Sequence, residues 1–104
     1  MNNLNKLDHM IRQLQKRIEL DQLYNLLQGD LSVRDYIVIF EDLTRRCDVR
    51  EHHSQIITRF VSSLRYNIRC ATIISFYGVN FTEDVFDFTL KIDLTFKRIV
   101  SVKA

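Results

Sequence analysis

Ser32-Val33-Arg34-Asp35-Tyr36-Ile37-Val38-Ile39-Phe40-Glu41-Asp42-Leu43-Thr44-Arg45-Arg46-Cys47 is the stretch on which the fold class turns. Its middle, Tyr36 to Phe40, is β-branched and aromatic, and such residues favour strands. The flanks argue otherwise. Neither Asp35 nor Glu41 to Arg46 signals a turn, and Val33, Tyr36 or Ile37, Phe40, Leu43 and Cys47 recur at helical intervals. Ser32 has the side chain to cap such a helix, with Asp35 three residues on approximating a capping box. The spacing therefore predicts a helix over 33–47, with a strand through Tyr36 to Phe40 as the disfavoured alternative.

Composition points the same way. With no Pro and two Gly, the chain lacks the turn residues that many short strands would need. A length of 104 residues suits one domain with one core. Apolar and charged fractions of 46% and 27% are those of folded globular proteins, which argues against disorder throughout. The expectation is a single all-α domain over 1–104, a small bundle of about four to five helices.

Upstream of the deciding stretch, Leu4, Leu7, Ile11, Leu14 and Ile18 are spaced three, four, three, four, one stripe of an amphipathic helix. The same spacing is that of a coiled-coil seam, but it lasts only about two heptads, so a core or docking face is the first reading and a pairing helix the second. After Ile18 the stripe moves to Leu20, Leu23 and Leu27, and Gly29-Asp30 is expected to end the helix and turn the chain.

Downstream, a third helix starting at Glu51 or Ser54 should bury Ile56, Ile57, Phe60, Val61 and Leu64. Tyr66 to Ile74 reads as one or two further helical turns, ended by Tyr77-Gly78-Val79-Asn80. Thr82 then looks like a cap, with Phe81 and Phe86 placed for a hydrophobic staple and Glu83-Asp84 well sited in the first turn. Val85, Phe88 or Thr89, Ile92, Phe96 and Ile99 carry the last helix. The tail from Ile99 to Val102 alternates like a strand but is too short to decide. Breaks near Gly29, Asp48 and Gly78 are turns within one array, because the pieces between them are too short for separate cores.

Little in the sequence points to catalysis. Cys47, His52, His53 and Cys70 are the clustered candidates for a metal or a Cys-His pair, yet neither cysteine has a partner cysteine at zinc-ligand spacing. A core cysteine and loop histidines are the simpler reading. Gly29 and Gly78 stand alone, so no glycine-rich phosphate loop is expected. Glu41-Asp42 and Glu83-Asp84 are adjacent on helices, and their side chains diverge. Neither a cofactor nor a small-molecule substrate is implied.

The polar N-terminus lacks a signal-peptide apolar region, and the apolar run Tyr36 to Phe40 is too short to span a bilayer. A non-membrane protein of the cytoplasm, or alternatively the nucleus, is expected. A net charge of +2 is too small for phosphate binding by bulk attraction. A local patch is the remaining route: Arg45, Arg46, Arg50, Arg59, Arg65 and Arg69 make the middle of the chain basic, with Tyr66 among them as a stacking surface. Asp48 and Glu51 dilute that patch, and solvated arginines are the simpler reading.

One resemblance sharpens these expectations. Leu23-Tyr24-Asn25-Leu26-Leu27-Gln28-Gly29, then Ser32-Val33-Arg34-Asp35-Tyr36 and Phe40, then Arg59-Phe60 with Leu64, then Ile68-Arg69 resemble, in that order, the Gag domain of Ty3/gypsy-type long-terminal-repeat retrotransposons, particularly plant elements. The family has a Gln-Gly turn before Ser-Val-x-x-Tyr and an Arg-Phe-x-x-Gly-Leu helix end. Leu90-Lys91-Ile92-Asp93 resembles its Leu-Lys-Val-Glu-like stretch. The likeness covers about 14–98, and its motifs are moderately specific together and weak singly.

The resemblance implies a helical, non-enzymatic, capsid-like module that self-associates or co-assembles with full-length Gag around RNA. Ser63 stands where the family has Gly, its aromatic-rich helices ahead of Leu14 are abbreviated, and no Cys/His zinc knuckle follows Lys97-Arg98. The expectation is therefore a piece of a Gag gene. Apolar surface for association is expected on Leu4, Leu7, Ile11, Leu14 and Ile18, or on the last helix at Phe86, Phe88, Phe96 and Ile99. A small RNA-binding helical protein using the arginines and a degenerate Gag fragment without retained function are the alternatives.

Overall fold

Residues 33–46 are helical, not extended, in the computed structural model, which describes residues 2–48, 50–75 and 81–103. Five helices follow one another: α1 (Asn2–Tyr24), α2 (Val33–Arg46), α3 (His53–Ser62), α4 (Tyr66–Ser75) and α5 (Thr82–Lys103). No strand occurs among the described residues. The fold is all-α, as the missing prolines and the helical spacing predicted, and the alternating tail from Ile99 also continues as helix. The expected break at Tyr77 to Asn80, with Gly78, lies outside the described residues.

Ser32 caps α2. It adopts φ −63°, ψ 157°, and its Oγ accepts the Asp35 N–H at 3.0 Å. Arg45 and Arg46 complete the last turn, where cations suit the helix dipole. Asp48 follows with φ 49°, the left-handed conformation that commonly ends a helix.

The core is an aromatic cluster with aliphatic walls. Tyr36 stacks on Phe60 at 5.1 Å between centroids, and Phe40 and Phe86 meet Phe60 edge-on at 5.3 and 4.7 Å. Such tilted and offset pairs add about 0.5–1.5 kcal/mol beyond the area they bury. The Tyr36 hydroxyl donates to the Phe60 carbonyl at 2.9 Å, so its polar end is satisfied inside the core. Leu23, Val33, Ile57, Val61, Leu64, Ile68 and Val85 close around the rings, all buried.

Three boundaries differ from the sequence expectation. The first helix stops at Tyr24, not Gly29. Asn25 Nδ2 donates to the Asp21 carbonyl at 2.8 Å, and the Gln28 N–H is drawn to the Ser63 carbonyl at 2.9 Å, away from any continuing helix. Gly29, at φ +52°, then turns the chain, with the Leu31 N–H donating back to the Gln28 carbonyl.

The second difference is at α5, where Thr82 is the first helical residue and not the cap. Its N–H faces His53 Nδ1 at 3.4 Å, and its Oγ1 lies 2.8 Å from the same nitrogen. Phe81 stays exposed with its ring edge-on to His53, while Phe86 is buried. The third is the start of α3 at His53, between the two residues expected; the His52 N–H donates to Gln55 Oε1 at 3.2 Å, stabilising that first turn.

On α5 the inward face is Val85, Phe86, Thr89 and Asp93. Thr89, rather than Phe88, takes the buried position, and its hydroxyl returns to the Val85 carbonyl at 2.7 Å. Thr72 on α4 does the same to the Ile68 carbonyl at 2.8 Å. Both threonines thus behave as valine-sized core residues with a satisfied hydroxyl.

Candidate functional site

Every residue from Asn3 to Ile18 is exposed. The five residues of the first stripe are among them: Leu4 at 70%, Leu7 at 53%, Ile11 at 51%, Leu14 at 56% and Ile18 at 56% exposure. The core reading of this stripe therefore does not hold. Among the described residues, α1 meets the rest of the protein only near its C-terminal end, where Leu23 is 1% exposed. An apolar row about four turns long stands clear of the bundle.

The last helix behaves differently. Phe86, expected as interface, belongs to the core, packed against Phe60 and Phe40, and offers no surface. Phe88 and Phe96 are half-buried, with Ala71, Ile92 and Thr95 around them. Leu94 and Ile99 are exposed toward the end of α5. A second apolar area lies between α1 and α2, where Leu26, Leu27, Val38, Ile39 and Leu43 line an open groove of about 900 Å³.

The residues that carry the resemblance noted in the sequence sit mostly around the core. Val33, Tyr36, Phe40, Phe60, Leu64 and Ile68 are buried. Gln28 is buried too, and both ends of its amide are bonded: Nε2 donates to the Leu31 carbonyl at 3.0 Å, and Oε1 accepts the Arg65 N–H at 2.9 Å. One side chain thereby fixes the Gly29 turn and joins it to the start of α4. Tyr24 is exposed on one face, while the Arg59 guanidinium lies 4.6 Å from its ring centroid. Arg59 also grips Glu51 through two contacts at 2.7 and 2.9 Å, fixing the loop before α3.

The remaining arginines do not form an uncompensated cluster. Arg46 pairs with Asp42 at 3.0 Å, and Arg50 lies 3.9 Å from Asp48. Arg45 is exposed at the end of α2, beside a groove that also holds Glu41, Asp48 and Glu83. Arg65 precedes α4, and Arg69 lies over the exposed Tyr66 ring at 5.5 Å while donating to the Ser62 carbonyl at 3.3 Å.

Cys47 and Cys70 are free and half-buried. Burial pushes the Cys47 thiol up, and the Glu19 carboxylate adds to the effect, opposite to the shift that activates a nucleophile. His53 is not a loop histidine but the first residue of α3, turned toward the start of α5. Among the described residues, no three His, Cys, Asp or Glu side chains gather as a metal site would require. None of the described helices is long and apolar enough to cross a membrane.

The Gln28 bonds and the α1 exposure were not legible in the sequence: the partners of Gln28 lie up to 37 residues away, and periodicity reports an apolar face without reporting what covers it. Comparison of the chain with known protein families, with curated proteins and with solved structures returns no match.

Proposed function

We propose that this chain is a Gag-like association module without catalytic chemistry, which binds copies of itself or a longer Gag chain. The carrying observation is the exposed stripe from Leu4 to Ile18. A row of five apolar side chains at helical spacing, each more than half exposed, has a burial free energy that only another surface can release. Its position away from the core means that association need not disturb the bundle. The raised Cys47 thiol and the diverging acidic pairs supply no group prepared for acid, base or nucleophilic work. The free thiols of Cys47 and Cys70 fit a reducing compartment, the cytoplasm or the nucleus.

RNA binding is the weaker reading, because Arg46, Arg50 and Arg59 each face an acid of this same chain. Sedimentation velocity of the purified chain over a hundredfold concentration range tests the proposal. A weight-average mass that rises with concentration is expected, and a strict monomer throughout would remove it. A low-salt gel shift tests the weaker reading, and unchanged RNA mobility would remove it.

A further inference from the structure

The α1 stripe carries more information than exposure. Set in heptads with Leu4 at a, the a positions are Leu4, Ile11 and Ile18 and the d positions Leu7 and Leu14. Isoleucine at a with leucine at d is the pattern that favours two parallel strands, because the two side-chain shapes fit the different packing angles of those layers. The series stops at the next d and a positions, Asp21 and Asn25. Asn25 is already outside the helix, and its side chain caps the Asp21 carbonyl. The apolar seam thus begins and ends inside α1.

The helix also presents this seam in a usable direction. Leu23, through which α1 enters the core, falls at an f position, on roughly the opposite side of the helix from a and d. The protein's own bundle therefore does not cover the approach to the seam. A helical stretch this short, without packing of its own, is marginal in water, so residues 3–18 gain most from a partner helix. The first turn of α1 has no acidic residue to complement the helix dipole, which leaves this end more dependent on packing.

We infer that the partner is a second copy of this chain, paired through α1 as a short, parallel, in-register two-stranded coiled coil. The inference rests on the association reading above and names its site and geometry. In the parallel register all five apolar layers meet their own copies. An antiparallel alignment that pairs Leu7 with Ile18 and Ile11 with Leu14 sets Leu4 against Asp21, and the alternative that pairs Leu4 with Leu14 leaves Ile18 without a partner. Flanking the parallel seam, the g and e residues meet as Asn3 with Asp8, Met10 with Gln15 and Arg17 with Gln22. No two like charges face each other there, and Met10, 57% exposed in the single chain, covers the middle layers.

Full-length chain tests this by sedimentation velocity and by cross-linking. Leu7→Glu with Leu14→Glu places charges in both d layers, and the dimer is expected to weaken at least a hundredfold while the thermal unfolding of the bundle is retained. In a Cys47→Ala, Cys70→Ala background, Leu4→Cys is expected to give a disulfide-linked dimer on mild oxidation, because only the parallel register brings residue 4 against its copy. Adding the two glutamates should reduce that product to background. Wild-type dimers that survive both glutamates would overturn the α1 pairing yet leave an association module using another face. A glutamate-sensitive dimer that Leu4→Cys fails to link would overturn the parallel register. A wild-type chain that is monomeric at every concentration would overturn this inference and the proposed function together.

Discussion

α1 and α2 are both amphipathic, yet their apolar faces meet opposite fates. On α2 the residues Val33, Tyr36, Ile37, Phe40 and Leu43 are between 0% and 7% exposed, whereas on α1 the residues Leu4, Leu7, Ile11, Leu14 and Ile18 are between 51% and 70% exposed. The difference lies in width and bulk. α2 presents neighbouring columns, with Tyr36 beside Ile37, and two aromatic rings that reach the rings of α3 and α5. α1 presents a single narrow row of aliphatic residues, which suits one partner helix rather than a multi-helix core. Period alone distinguishes helix from strand; the breadth of the stripe indicates how many neighbours it can satisfy.

Substitutions in the two regions should therefore separate sharply. Phe60→Ala removes the ring on which Tyr36, Phe40 and Phe86 converge, and a loss of about 3–5 kcal/mol is expected, enough to unfold much of a marginal domain. Chemical denaturation followed by circular dichroism measures it. Gln28→Ala leaves the Arg65 N–H and the Leu31 carbonyl without their partner, and about 2 kcal/mol is expected by the same measurement. An effect below about 0.5 kcal/mol would show that Gln28 is not the clamp described.

Tyr36→Phe should cost about 1 kcal/mol through the lost bond to the Phe60 carbonyl. Burial holds the Tyr36 phenol well above its ordinary range, and a hydrogen bond with Ser63 offsets part of that rise. The folded state thus favours the neutral phenol, while the unfolded chain ionises it near pH 10. Its contribution is complete below about pH 10 and is lost as the pH rises further. Melting temperature should fall at alkaline pH in the wild type and less steeply in Tyr36→Phe. At the small end, Ile11→Ala should move the melting of dilute chain by no more than about 0.5 kcal/mol, since it empties no cavity.

Much of this architecture is written locally in the sequence. Ser32 and its bond to Asp35, the return of the chain at Gly29, the existence of α2 and α3 within a residue or two of their bounds, and the buried row from Ile57 to Ile68 all follow from spacing and cap chemistry. What escaped is tertiary. The end of α1 is decided by Ser63, which draws the Gln28 N–H from far along the chain. The start of α5 is met by His53, 29 residues away, so Thr82 does not act as the cap that its local sequence suggests. Thr72 passes for a surface residue by type, although a hydroxyl that can return to its own helix permits burial, as it does at Thr89, one of the two residues expected on the inward column of the last helix. The sequence offers Phe86 both as a staple partner and as association surface, and only its convergence with Phe40 and Phe60 shows it to be core.

The central claim is that residues 4–18 form a helix awaiting a copy of itself beside a core already complete. Amide hydrogen exchange at low and at high protein concentration tests it most directly. Protection should rise with concentration across 4–18 and stay constant in α2, α3 and the buried turns of α5. Full protection of 4–18 in dilute monomer, or none at the highest concentration, would contradict the account.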